Sequence, residues 1–151
     1  MSERRRRSVF APIGAAAAAV IVAASIFVRF TGPADPAADV AKQREAVDRF
    51  HELVRDERWA EVFEAMTEPP GRDASAFATL MRDQVRNQGK VLRISTKETR
   101  LLRSRTVPLL EVHESVTLSK EGRRSTHDVI SYFAQRKQRW LFAFSARGDE
   151  G

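Results

Sequence analysis

Cysteine is absent from this chain, and tyrosine occurs once. Without cysteine there is no disulfide, no thiol nucleophile and no thiolate metal site, so packing alone must hold any folded domain together. Histidine is scarce, with three in 151 residues, and there is no HExxH, no clustered His/Asp set and no phosphate-binding glycine loop. These absences argue against metal and nucleotide chemistry, and we expect neither a metal nor a cofactor. A strong charge of one sign is also missing from most of the chain. Of 26 basic and 20 acidic residues, five arginines and three acids fall within the first 39 positions, which leaves the rest at +4. Intermingled charges of that kind read as a solvated surface, and no nucleic-acid partner is expected.

What is present is one long apolar run. Residues 11–28, APIGAAAAAVIVAASIFV, carry no charge. As a helix they extend roughly 27 Å, near the ~30 Å hydrocarbon thickness of a bilayer. Arg4, Arg5, Arg6 and Arg7 stand directly before the run. By the positive-inside rule they set its topology, with the tail cytoplasmic and the remainder outside. The expected order is a basic tail at 1–10, a single-pass transmembrane signal-anchor at 11–30, a linker at 31–38, an extracytoplasmic domain at 39–147 and a tail at 148–151. The expected location is the bacterial inner membrane, with the domain periplasmic. Cleavage near Gly32-Pro33-Ala34 is the alternative and gives a secreted domain.

Periodicity divides the domain. Val40, Val47, Phe50, Leu53 and Val54 recur at helical spacing and predict an amphipathic helix to about Asp56. A shorter piece carries Trp59, Val62, Phe63 and Met66, and Glu68-Pro69-Pro70-Gly71 ends it. Asp73 caps a third helix, with Phe77, Leu80, Met81 and Val85 on one side and Gly89 as its stop. From Lys90 the period becomes two, which predicts strands over 90–103, 107–120, 123–136 and 139–146. Placing Glu121-Gly122 and Lys137-Gln138 in two-residue hairpin loops makes paired residue numbers sum to 243 and 275. Leu110, Val112, Val116 and Leu118 then share one face with Val129, Phe133, Trp140, Phe142 and Phe144. The predicted fold class is α+β: an N-terminal transmembrane helix, then three helices packed on a curved four-stranded antiparallel sheet.

Three stretches resemble the nuclear transport factor 2-like superfamily of cone-shaped domains. They are Ala46-Val47-Asp48-Arg49-Phe50-His51-Glu52-Leu53-Val54, Arg58-Trp59-Ala60-Glu61-Val62-Phe63 and Arg139-Trp140-Leu141-Phe142-Ala143-Phe144. The resemblance covers about residues 36–147 and implies helix, short helix, helix, then a bent antiparallel sheet wrapped around the first helix. The superfamily holds enzymes, among them ketosteroid isomerase and polyketide cyclases, and many non-catalytic binding domains.

Three polar residues fall on the predicted inner face: Glu114, Ser131 and His127. In the derived register Glu114 lies opposite Val129 and diagonal to both His127 and Ser131, about 7–8 Å from each by sheet geometry. Glu114 and His127 are the candidate acid/base pair, and with Ser131 the candidate ligand pocket. His51, beside Phe50, has no metal partner at helical spacing. The leading expectation is a non-catalytic domain for protein assembly or binding at the cell envelope, with a protein partner or self-association. An isomerase- or lyase-like pocket built on Glu114 and His127 is the alternative.

Overall fold

The computed structural model describes residues 30–33, 40–104 and 107–147. In chain order these form β1 (Phe30–Pro33), α1 (Val40–Arg55), α2 (Trp59–Glu64), α3 (Ala74–Gln88), β2 (Lys90–Ser104), β3 (Pro108–Lys120), β4 (Arg123–Arg136) and β5 (Arg139–Arg147). All the strands belong to one antiparallel sheet in the order β1-β2-β3-β4-β5.

The N-terminal expectation is corrected in two ways. The sheet has a fifth, short strand besides the four long ones, because Phe30 pairs with Ser104 and Pro33 with Leu102. Phe30, read above as the last residue of a transmembrane helix, and Thr31–Pro33, read as linker, are therefore sheet residues whose backbone continues the β2 ladder. Among the described residues, moreover, no helix is long and apolar enough to cross a membrane. Arg4 to Arg7 and the run 11–28 lie outside the described residues.

The helices begin and end for local reasons. Asp73 is extended, and its carboxylate accepts the Ala76 N–H at 2.9 Å, which satisfies one of the free donors of α3. Gly89 ends that helix with φ +110°, and a Cβ there would sit 2.7 Å from the Ser119 carbonyl oxygen. Only glycine fits this close approach between helix end and strand. Lys120 Nζ donates to the Asn87 carbonyl at 2.6 Å, engaging one of the last carbonyls of α3.

Two hairpins set the register. Glu121 and Gly122 both have positive φ, as do Lys137 and Gln138, the backbone of a two-residue loop matched to strand twist. Every β3–β4 pair sums to 243, from Lys120↔Arg123 to Leu109↔Ala134. The β4–β5 pairs sum to 275 only as far as Phe133↔Phe142, where the register shifts so that Tyr132 faces Phe144 and Ser131 faces Ser145. The expected strict alternation beyond Phe142 is thereby broken, although Phe144, half-buried, still packs against the core cluster that contains Phe142. The extra residue reverses the alternation, so Phe144 stacks on Tyr132 and Ser145 is buried.

Helix α1 touches both β2 and β5, the outermost long strands. Three inter-strand gaps span about 14 Å, wider than a single helix can reach on a flat surface, so the sheet curls around it. Register shifts in β2 at Val91/Arg93 and Thr96/Glu98 supply local bends. The layout is the one the resemblance implies: helix, short helix, helix, then a bent sheet about the first helix. Its interior is filled with aromatic rings. Phe50 stacks on Phe142 with centroids 4.6 Å apart and meets Phe133 edge-on at 5.6 Å, while Phe133 and Phe142 make a third, edge-on pair. Burying each such ring stabilises the fold by about 2–3 kcal/mol. Met66 bridges to Phe142, with Thr67 N–H donating to the Phe142 carbonyl and Phe142 N–H to the Ala65 carbonyl, which covers part of the β5 edge.

Candidate functional site

The buried polar side chains come from α1 (Gln43 and His51), β3 (Glu114), β4 (Ser131) and β5 (Ser145), and three of them meet. Along α1, Val47, Phe50, His51 and Val54 form the buried stripe. His51 sits on the same face as the apolar residues at three- and four-residue spacing, so docking the helix drives its imidazole toward the sheet. On β3, Glu114 lies between Val112 and Val116 on the inner face, and on β4, Ser131 lies between Val129 and Phe133. Glu114 is 6% exposed, His51 9% and Ser131 1%.

These three close into one network. His51 Nε2 stands 2.7 Å from Glu114 Oε2, and Ser131 Oγ donates to Glu114 Oε1 at 2.5 Å. A carboxylate can only accept, so the bond from His51 is read with Nε2 as the donor. Each carboxylate oxygen thus has one partner, contributed by a different element. A carboxylate in such a place without partners would be prohibitively expensive to bury.

The structure brings Glu114 and Ser131 together and places His127 elsewhere. His127 pairs across the ladder with Val116, is half-buried, and bonds Ser125 Oγ at 3.0 Å through its Nε2. The imidazole that meets Glu114 belongs to His51. Sequence reasoning had the signal for it: a histidine on a buried helical stripe requires a polar partner in the opposing layer, and Glu114 is the charged residue on that layer. Glu114 lines none of the described cavities. Its surroundings are occupied by side chains, and a proton taken from a substrate would have to compete with both His51 and Ser131 for the carboxylate.

A second carboxylate network lies on the opposite face of β3. Tyr132 Oη donates to Glu111 Oε2 at 3.1 Å, and His113 Nε2 is 2.8 Å from Glu111 Oε1. Burial, the Glu111 charge and the hydrogen bond to it push the Tyr132 hydroxyl up to about 12. This group is partly open to solvent, with the His113 side chain 35% exposed and that of Glu111 14%. Asp128, also on this face, pairs with Lys97 Nζ at 2.6 Å. No group of three or more metal-ligating side chains occurs among the described residues.

Among the solved structures similar to this chain are two. One is the protein Rd1NTF2_05 in a variant with five substitutions, at 15% identity and a TM-score of 0.49, covering 70% of this chain and 96% of its own. The other is a protein from Catenulispora acidiphila, at 13% identity and a TM-score of 0.48, covering 71% and 89%. No protein-family model matches the sequence, and no curated protein does.

Proposed function

We propose that this chain is a non-catalytic binding domain that serves in protein assembly at the bacterial cell envelope. The observation that carries the reading is the saturation of Glu114. Both of its oxygens are engaged, by His51 and by Ser131, within an interior filled by Phe50, Phe133 and Phe142. An acid or base in catalysis needs a path to substrate and a proton to exchange. This carboxylate instead ties α1 to the two central strands. The site therefore acts as a clamp that fixes how the first helix sits in the sheet, and it leaves the outer surface to do the binding. The envelope location is drawn from the tetra-arginine segment followed by an uncharged run in residues 4–28.

In vivo photo-crosslinking of the full chain, followed by membrane fractionation and mass spectrometry, tests this. The reading expects a defined protein partner in the membrane fraction. It also expects that partner to be kept when His51, Glu114 and Ser131 are replaced together by Leu, Leu and Ala. Recovery of the chain only from the soluble fraction, or of no cross-linked protein at all, sinks it.

A further inference from the structure

Next to the His51–Glu114–Ser131 clamp, one helical turn before His51 and beside Thr96, the ladder partner of Glu114, a cavity that none of the three clamp residues lines opens between the first turns of α1 and the irregular middle of β2. It encloses about 330 Å³, within the range of small-molecule sites. Val47 and Leu110 supply an apolar floor, and Thr96 and Thr99, on either side of the β2 register shift, bring hydroxyl groups to it. Gln43 also lines it. This side chain occupies the buried stripe of α1, is 6% exposed, and its amide Nε2 has no hydrogen-bond partner among the described residues. A buried donor left unmade is unfavourable, and native folds rarely keep one without a reason. The lining carries two charges of each sign, Arg44 and Lys97 against Asp48 and Glu98, and two of these are already engaged outside it, Lys97 by Asp128 and Glu98 by Arg100.

We propose that this cavity is a binding site for a small uncharged molecule with an apolar body and one carbonyl group. The carbonyl oxygen accepts from Gln43 Nε2, which reaches the cavity by turning about its last, broadly allowed side-chain torsion. The apolar body rests on Val47 and Leu110, and the threonine hydroxyls meet the polar end. An anionic ligand is disfavoured, because the rim offers it no net opposite charge and holds two carboxylates close to where it would enter.

The test is a titration of the full chain with benzamide, and separately with benzoate, followed by amide-detected NMR. Benzamide should give saturable shifts at millimolar concentration in the Gln43 side-chain amide and in the backbone of Thr96 and Thr99. Benzoate should bind at least roughly tenfold more weakly. Gln43→Leu should abolish the benzamide response without lowering the melting temperature, since it removes an unpaired donor. Thr99→Val, a milder change near the surface, should weaken the response while keeping the fold. No saturable shift in the natural protein overturns the proposal. So does an unchanged response in Gln43→Leu, or equal affinity for benzoate.

Discussion

Glu111 and Glu114 lie three residues apart on the same strand and point to opposite faces of the sheet, yet they have the same kinds of partner. Each gives one oxygen to a histidine and the other to a hydroxyl: His51 and Ser131 inside, His113 and Tyr132 outside. What differs is the origin of the histidine and the amount of water nearby. His113 is Glu111's near neighbour on the same strand, so the outer network needs no helix to assemble. His51 comes from a helix 63 residues earlier, so the inner one forms only when α1 docks. Identical chemistry thus stabilises local strand geometry on one face and the tertiary arrangement on the other. The low dielectric inside makes the second the more consequential.

The largest expected effect follows from breaking the inner network on one side. Glu114→Leu leaves a buried imidazole and a buried hydroxyl without their acceptor, and should destabilise the domain by about 3 kcal/mol, read from urea unfolding. His51→Leu should do comparable damage by stranding the carboxylate. Replacing all three by Leu, Leu and Ala should recover most of the loss, because removing every partner of a buried polar group leaves nothing unpaired. Additive losses in the triple variant would mean that the network does not act as a unit. The matching change outside, Glu111→Leu, should cost about 1 kcal/mol, since solvent can replace part of what is removed.

Because Tyr132 is the chain's single tyrosine, its ionisation can be followed by absorbance with no overlapping signal. The midpoint should lie at about 12, above the ordinary value of 10. The sign of the linkage follows: a hydroxyl that holds its proton more tightly when folded adds stability that is complete below pH 10 and disappears as pH rises toward 12. Glu111→Gln removes the charge but keeps the burial, so the midpoint should fall while staying above 10. A midpoint unchanged by that substitution would assign the shift to burial alone and leave Glu111 without electrostatic weight.

How much of this the chain discloses unaided depends on the range of the interaction. The β3–β4 register follows from one loop, because Glu121-Gly122 selects a two-residue hairpin and every pair after it is forced. That alone puts Glu114 and Ser131 on one face. It also makes His127 and Ser131 equivalent diagonal neighbours of Glu114, and nothing within the sheet can choose between them. The choice is made by α1, which lies over the Ser131 side and brings its own histidine. The register shift beside Ala143 was hidden for another reason: no glycine or proline marks it, so alternation continues on paper through the point where the backbone breaks it. Gln43 is invisible to apolar periodicity because its side chain is an amide, whereas Val40, which that periodicity places on the stripe, is 60% exposed.

The smallest effect is expected where the two faces share a structural origin, at the loop from Lys137 to Gln138. Both residues hold positive φ, 49° and 63°, without being glycine or asparagine. Each therefore keeps its β-carbon close to backbone oxygen, a strain that favoured loop residues avoid. Replacing the pair by Asn-Gly should stabilise the domain by about 0.5–1 kcal/mol, seen as a rise in melting temperature. The gain should be the same in the Glu114→Leu and Glu111→Leu backgrounds, because the loop touches neither carboxylate. If it vanished in one of them, that network would reach further along β4 and β5 than its hydrogen bonds do, and the two faces would be coupled through the hairpin that joins them.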